Sequence, residues 1–302
     1  MDLNPNQLDA LVAIAEQGSF EAAAHRLRIT PSAVSQRIRA LEATAGQGLI
    51  RRGTPCRPTP HGEWLVRLGR QTRLLYDEAT QALTGAGTIE LPVAVNADSL
   101  AVWFGDVLAA VARWDGTALR LHVEDQAHSA ELLRSGDVLA AVTSDPAAVQ
   151  GCTAEPLGAL RYVPAAPPWF AERWSSGGAP EWAAMPVVVF NAKDDLQFEL
   201  LRSHGVSSAP PIVHQVPASA DFYVAVRAGL GWGVLPEPQA RADLAAGALV
   251  RLSADVVDVP LYWQRWRIDS PRLAALTDTV RIAAVRDLLR VSQAASASDQ
   301  QR

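Results

Sequence analysis

Apolar residues recur every three or four positions through the first quarter of the chain. Beyond it, short apolar runs alternate with helical stretches. Leu8, Leu11, Val12 and Ala15 hold helical spacing behind Asn4 and Pro5, which suit an N-cap and a first helical position, and Gly18 ends the segment. Ser19 caps a second helix over Phe20–Leu27, and Thr30-Pro31 opens a third that runs to Glu42. In that third helix Val34, Ile38 and Leu41 fall at i, i+4 and i+7, the spacing of a packed face. Ser32, Ser35, Gln36 and Arg39 fall on the other side, short, amide or guanidinium groups that suit base edges and phosphates. Two helices joined by a tight turn, the second polar near its start, predict a helix-turn-helix.

Leu49–Arg52 followed by Gly53–Pro58 reads as two short extended pieces around a Gly/Pro turn and predicts a hairpin wing, with Arg51, Arg52 and Arg57 placed to reach sugar–phosphate or a minor groove. From Pro60 to Leu83 one long helix carries Trp64, Leu65, Leu68, Leu75 and Ala79 at three- and four-residue steps. Such a stripe outside a compact domain is expected to bury itself against a second copy of the chain, as helix-turn-helix dimers require. The organisation that follows is a DNA-binding domain over 1–59, a dimerisation helix over 60–84 and a further domain over 85–302.

In that last domain, strands are predicted at Ile89–Val95, Leu119–Val123 and Val138–Thr143, with helices at Asp98–Trp114 and Ser129–Ser135. A second cycle gives strands at Val187–Phe190, Ile212–Val216 and Trp232–Leu235, with helices near Asp194–Arg202, Ser219–Ala228 and Glu237–Ala246. Leu261–Trp266 then returns to the first lobe, and Arg272–Val291 closes as a helix. This alternation predicts a parallel sheet covered on both faces, in two lobes (88–160 with 262–302, and 161–261) that the chain crosses twice. Ligands of such α/β folds sit in the cleft at the strand ends, and hinge closure is the expected motion.

Charge changes the picture of the first quarter. The 302-residue chain has a net charge of −5, which by itself argues against a nucleic-acid partner. Yet from Arg26 to Arg73 there are ten arginines against Glu42 and Glu63, while residues 85–302 hold 17 basic and 24 acidic residues. A basic head on an acidic body is the asymmetry of a duplex-binding module joined to something else. No apolar run reaches the roughly 18–20 residues of a membrane span, and the polar, acidic start lacks a signal pattern, so a cytoplasmic protein is expected. Two cysteines, Cys56 and Cys152, far apart, support neither a disulfide framework nor a zinc site. The six histidines are scattered, no nucleophile motif or P-loop occurs, and Gly229–Gly233 sits between helix and strand, the wrong order for a dinucleotide. An enzyme and a metal protein are therefore disfavoured.

Gly18-Ser19-Phe20-Glu21-Ala22-Ala23-Ala24, the Thr30–Glu42 recognition helix, the Arg-rich wing and the long helix together strongly resemble the LysR-type transcriptional regulators. That resemblance covers the whole chain. It implies an N-terminal all-α winged helix-turn-helix with a linker helix and a C-terminal α/β, two-lobed, periplasmic-binding-protein-like effector domain. Val95–Leu100, Val123-Glu124-Asp125, Ala141–Thr143, Asp194-Asp195 and Leu261–Trp263 further resemble the ArgP/LysG subgroup, whose members sense basic amino acids and activate a lysine or arginine exporter. The expected partners are double-stranded promoter DNA, L-lysine or L-arginine as effector, RNA polymerase and further copies of the chain as homodimer or homotetramer. No cofactor and no membrane are expected.

Thr30, Pro31, Ser32, Ser35, Gln36, Arg37 and Arg39, with Arg51 and Arg52 of the wing, are the DNA-contact candidates. A basic amino acid needs donors for its α-carboxylate and carboxylates for its cation. Asp98-Ser99 and Ser219 at helix starts and Thr143-Ser144 at a strand end suit the first; Glu124-Asp125 and Asp194-Asp195 suit the second. As N-caps, Asp98, Ser219 and Asp194 also have a purely structural explanation. Trp103 and Trp263 are candidates to wall the cleft. Two alternatives stay open: a LysR-type regulator with another effector, such as an aromatic acid, and a nucleoid or replication-control DNA-binding protein whose body only oligomerises.

Overall fold

The computed structural model describes residues 3–123, 126–192, 194–208 and 210–290. In the head, α1 (Pro5–Gln17), α2 (Phe20–Leu27) and α3 (Pro31–Ala45) begin at the expected caps: the side chains of Asn4, Ser19 and Thr30 accept backbone N–H bonds from Asn6, Ala22 and Ala33. The third helix runs one turn past Glu42, because Gly46, at φ 71°, is the residue able to take the left-handed stop. Val34, Ile38 and Leu41 are buried with Leu11, Ile14 and Leu49 in one small core. The wing is the antiparallel pair β1 (Ile50–Arg51) and β2 (Arg57–Pro58).

The long helix α4 (Pro60–Thr84) has two working faces. Its inner face seats on the head, and glycine makes that possible: a Cβ at Gly69 would stand 2.8 Å from Val12 Cγ2, and one at Gly62 only 2.1 Å from the Leu49 carbonyl oxygen. Leu65 is half-buried against the head core, so it belongs to this face and not to the stripe assigned to a second copy; one residue further round the helix than Trp64 is enough to turn it inward. Trp64, Leu68, Leu75 and Ala79 remain exposed on the outer face.

The effector body begins with β3 (Ile89–Val95), α5 (Ala97–Val102), α6 (Gly105–Val111), β4 (Thr117–Val123), α7 (Gln126–Ser135) and β5 (Ala140–Thr143). A single helix was expected over Asp98–Trp114. It breaks at Trp103-Phe104, whose adjacent rings are both buried and meet edge to face at 5.5 Å, an arrangement neighbouring positions on one straight helix do not give. Then β6 (Cys152–Ala166) carries the chain into the second lobe, formed by α8 (Pro168–Arg173), the hairpin β7 (Ser175–Ser176) and β8 (Ala179–Pro180), β9 (Val187–Val189), α9 (Leu196–Ser203), β10 (Val213–Gln215), α10 (Ser219–Arg227), β11 (Gly233–Pro236), α11 (Glu237–Ala245) and β12 (Val250–Arg251). β13 (Val257–Trp266) returns and α12 (Pro271–Asp287) follows, ending four residues before the expected Val291, which lies outside the described residues.

The expectation of a parallel sheet needs correction. β3 pairs in parallel with β4 and β5, and β9 with β10, but the main sheet, in the order β11-β6-β13-β5-β3-β4 with β12 on β6, is mixed. Its centre is the antiparallel pair β6–β13, which passes through both lobes and shifts register between Leu261 and Tyr262. β6 had no strand expectation, because Pro156, Gly158 and Pro164 read as breakers; Pro156 and Gly158 pair on either side of that shift, where a ladder tolerates them.

Head and body are joined by arginines of α4. Arg70 bonds the Ser135 carbonyl at 3.1 Å, Asp137 at 2.6 Å and, on the head, Glu16 at 3.4 Å; Glu16 also pairs with Arg26 of α2. Burial pushes the Arg70 pKa down while Asp137 opposes the shift, so the charged guanidinium relies on its partners to offset the loss of water around it. Arg67 is sandwiched between the rings of Trp64, at 4.2 Å, and Trp266, at 4.8 Å. Arg70→Ala should therefore destabilise the protein by about 1.5–3 kcal/mol, against under about 1 kcal/mol for Arg73→Ala, whose exposed side chain faces only Asp77. Urea unfolding of the two variants checks this.

Candidate functional sites in the head and the cleft

The outward face of α3 presents Ser32, Gln36 and Arg39 fully and Ser35 in part. At its start Thr30 and Pro31 are exposed, and the Thr30 hydroxyl accepts the Ala33 N–H and lies 2.9 Å from the Ser32 hydroxyl. Arg37 leans the other way, half-buried, with Nη1 3.5 Å from the Asn6 carbonyl oxygen, so it flanks the face. Arg51 and Arg52 project from the wing, and the Arg52 guanidinium lies 5.8 Å from the centre of the Phe20 ring. The wing is not free to swing. Glu42 accepts the backbone N–H of Leu49 at 2.8 Å, and the Cys56 N–H donates to the Gly18 carbonyl at 2.7 Å. Recognition helix and wing thus form one cationic surface, and the single acid of α3 is turned away from it to hold the hairpin.

Between the lobes lies a cavity of about 700 Å³. Asp98 of α5 lines it and accepts two hydroxyl bonds, from Tyr162 on β6 at 2.9 Å and from Ser219 on α10 at 2.8 Å. One carboxylate therefore joins the first lobe, the crossover strand and the second lobe. Burial, with the Asp98 charge beside it, holds the Tyr162 phenol well above its ordinary pKa, so it stays a donor. Asp194 lines the opposite wall and accepts the Phe190 N–H at 2.8 Å, the Leu196 N–H at 3.4 Å and a bond from the Gln197 side chain. Burial raises its pKa against these hydrogen bonds, and the negative charge of Asp98 adds to the rise. Asp195 and Glu199 complete the acidic lining, although the Asp195 carboxylate is exposed and paired with Arg202 at 3.0 Å. Among the described residues no arginine, lysine or histidine lines this cavity.

Of the expected cleft residues, Asp98, Asp194, Asp195 and Ser219 are brought together here. Ser99 is not: it is fully buried, and its N–H is taken by Asn96 Oδ1 at 2.8 Å. The helix starts one residue earlier than expected, with Asn96 as cap, and that shift turns Ser99 into the lobe. Thr143 is buried, its hydroxyl occupied by the Asp145 N–H at 3.1 Å, and neither it nor Ser144 lines the cavity. Glu124 and Asp125 lie outside the described residues. Trp103 and Trp263 do not wall the cleft; both are buried in the core, the latter donating to Thr277 at 3.1 Å. Sequence reasoning missed Tyr162, on the strand that was not expected, and Gln197. For Gln197 a signal existed, since Asp194 and Gln197 stand three apart at a helix start, the spacing of a capping box.

Residues 5–63 match the bacterial regulatory helix-turn-helix protein, lysR family, and residues 86–284 match the LysR substrate binding domain. The lysine export transcriptional regulatory protein LysG of Corynebacterium efficiens is 48% identical over 93% of this chain and 98% of its own length. Full-length LysG from Corynebacterium glutamicum with bound effector Arg superposes with a TM-score of 0.81 at 44% identity, covering 95% of this chain and 100% of that one. ArgP from Mycobacterium tuberculosis superposes at 0.86, also with 44% identity, covering 96% and 100%.

The shared carboxylate makes a prediction that concerns the fold alone. Tyr162→Phe and Ser219→Ala should each cost about 1–2 kcal/mol, and the double variant should depart from their sum, because both donors serve Asp98. A double-mutant cycle by urea unfolding measures the coupling, and strict additivity would contradict it.

Proposed function

The chain belongs to the lysR family of bacterial helix-turn-helix regulators, and from that premise we propose that it activates a basic amino acid exporter gene in response to L-lysine or L-arginine bound between its lobes. As a member of the family it is a DNA-binding transcriptional regulator and not an enzyme. The observation that carries the ligand class is the cavity wall: carboxylates on both lobes and no basic side chain among its described residues. A cationic ligand neutralises that wall; an aromatic or dicarboxylic acid would meet repulsion there. The α-carboxylate has donors at the start of α10, where Ala218 gives no side-chain cap and the first N–H groups are left for a ligand. The arginine complex of the Corynebacterium relative supports the same assignment.

Occupation strengthens the closed arrangement of the lobes about β6 and β13, since each lobe contributes acceptors to one cation. The first lobe passes its position to the head through Asp137, Arg70 and Glu16. Trp64, Leu68, Leu75 and Ala79 pair α4 with a second copy, so that two heads meet successive half-sites of a promoter, and two such dimers form a tetramer. RNA polymerase reads the resulting change in head spacing. No cofactor enters this scheme, and the cytoplasm is the compartment it requires; no helix among the described residues is long and apolar enough to cross a membrane.

Thermal-shift and calorimetric screens against the common amino acids test the ligand class: arginine and lysine raise Tm and glutamate does not, whereas a shift with acidic or aromatic acids alone overturns it. Because the Asp194 carboxyl is raised, it stays protonated to higher pH than an ordinary aspartate, and a cation favours its ionised form. Affinity should thus fall on acidification, starting at a higher pH than an unshifted carboxylate would give. For the head, Arg39→Ala should weaken promoter retardation and lower the salt slope by about 1 while arginine binding stays unchanged.

A further inference from the structure

Gln197 stands out among the cavity residues. It is 1% exposed, it lines the interlobe cavity, and its carboxamide oxygen has no hydrogen-bond partner. Its other end is fixed: the side chain bonds to Asp194, and an ionised carboxylate only accepts, so the end facing Asp194 is the NH2 group. The free end is therefore a buried acceptor, on a residue that lines a cavity large enough for an amino acid. A buried carbonyl left without a donor costs the fold free energy, which a ligand donor reaching it would recover. Asp194 is itself anchored by the backbone of Phe190 and Leu196, which makes the Asp194–Gln197 pair a rigid unit on the second lobe.

We propose that Gln197 reads the nitrogen end of the bound amino acid's side chain: its Oε1 accepts one N–H of the ammonium or guanidinium group, while Asp194 holds the carboxamide and supplies the opposing charge. This rests on the reading of the cavity as a basic amino acid site and adds to it a basis for selection. Charge alone attracts any cation. A fixed neutral acceptor beside a carboxylate demands a donor at one position, and rejects a side chain of equal length that ends in a methyl group, because Oε1 would then stay buried and unsatisfied.

Calorimetry of arginine, lysine and norleucine binding to the full chain, to Gln197→Met and to Gln197→Glu tests the assignment. Gln197→Met keeps the volume and removes the acceptor. It should weaken arginine and lysine about tenfold to a hundredfold and leave norleucine, weak to begin with, unchanged. Unliganded Tm within a few degrees of the parent establishes that this variant folds. Gln197→Glu keeps an acceptor in place and should hold arginine at least tenfold tighter than Gln197→Met. Arginine binding by folded Gln197→Met within threefold of the parent overturns the role of Gln197 and leaves the site assignment standing. Failure of the parent chain to bind any basic amino acid overturns both. If Gln197→Met does not fold, loss of arginine binding by folded Gln197→Glu overturns the proposal, and retention supports it.

Discussion

A half-buried carboxylate is held in place by its donors, and Asp98 takes them from two places that the chain separates widely. Tyr162 approaches from the crossover strand and Ser219 from the far lobe, 121 residues along the chain. That requirement ties local chemistry to global shape. The lobes can part only by breaking a bond to Asp98 and giving it back to solvent, and a ligand that bonds both lobes adds to that cost. The hinge is equally constrained, since β6 and β13 pair along most of their length and shift register only at Leu261/Tyr262. A stiff double strand with one irregular step confines lobe motion to a narrow arc.

How the second lobe's arrangement reaches the head is a question of which contacts are charged and buried. Arg70 is the strongest candidate, because its guanidinium is held by a carbonyl and a carboxylate of the first lobe and by Glu16 of the head. Gly69, one residue before it, brings α4 into backbone-close contact with α1, so a tilt of α4 has no soft side chain to absorb it. The outer face of the same helix, with Trp64, Leu68, Leu75 and Ala79 exposed, is free for a second copy. One helix therefore packs on the head, anchors the body and leaves a third, apolar face exposed.

The sequence exposes these layers unevenly, for physical reasons. Caps, glycine stops and 3.6-residue periodicity are local, and the three head helices start where Asn4, Ser19 and Thr30 say they do. The cleft is assembled from chain ends that meet only in the folded state, so residue type suggested candidates without ranking them. Asp98 and Ser99 show how fine the margin is: a cap one residue upstream sends the first into the cavity and the second into the core. β6 was invisible because Pro156, Gly158 and Pro164 argue against a strand locally, and what makes it one is a partner nearly a hundred residues away. Tyr162 was lost with it.

The charge asymmetry of the chain acquires a structural meaning once the two sites are placed. Among the arginines of the head and of α4, Arg39, Arg51 and Arg52 face outward, while Arg26, Arg67 and Arg70 are taken up internally by carboxylates, carbonyls and rings. The outward group is open to solvent, where salt screens its attraction for any polyanion. The inward group is shielded and keeps its strength. The acids of the effector body divide in a similar way, between surface pairs such as Asp195 with Arg202 and the half-buried, hydrogen-bonded Asp98 and Asp194 of the cavity. Carboxylates of the second class, held by fixed hydrogen bonds, present their charge in one geometry, and fixed geometry is what lets a site distinguish one small cation from another.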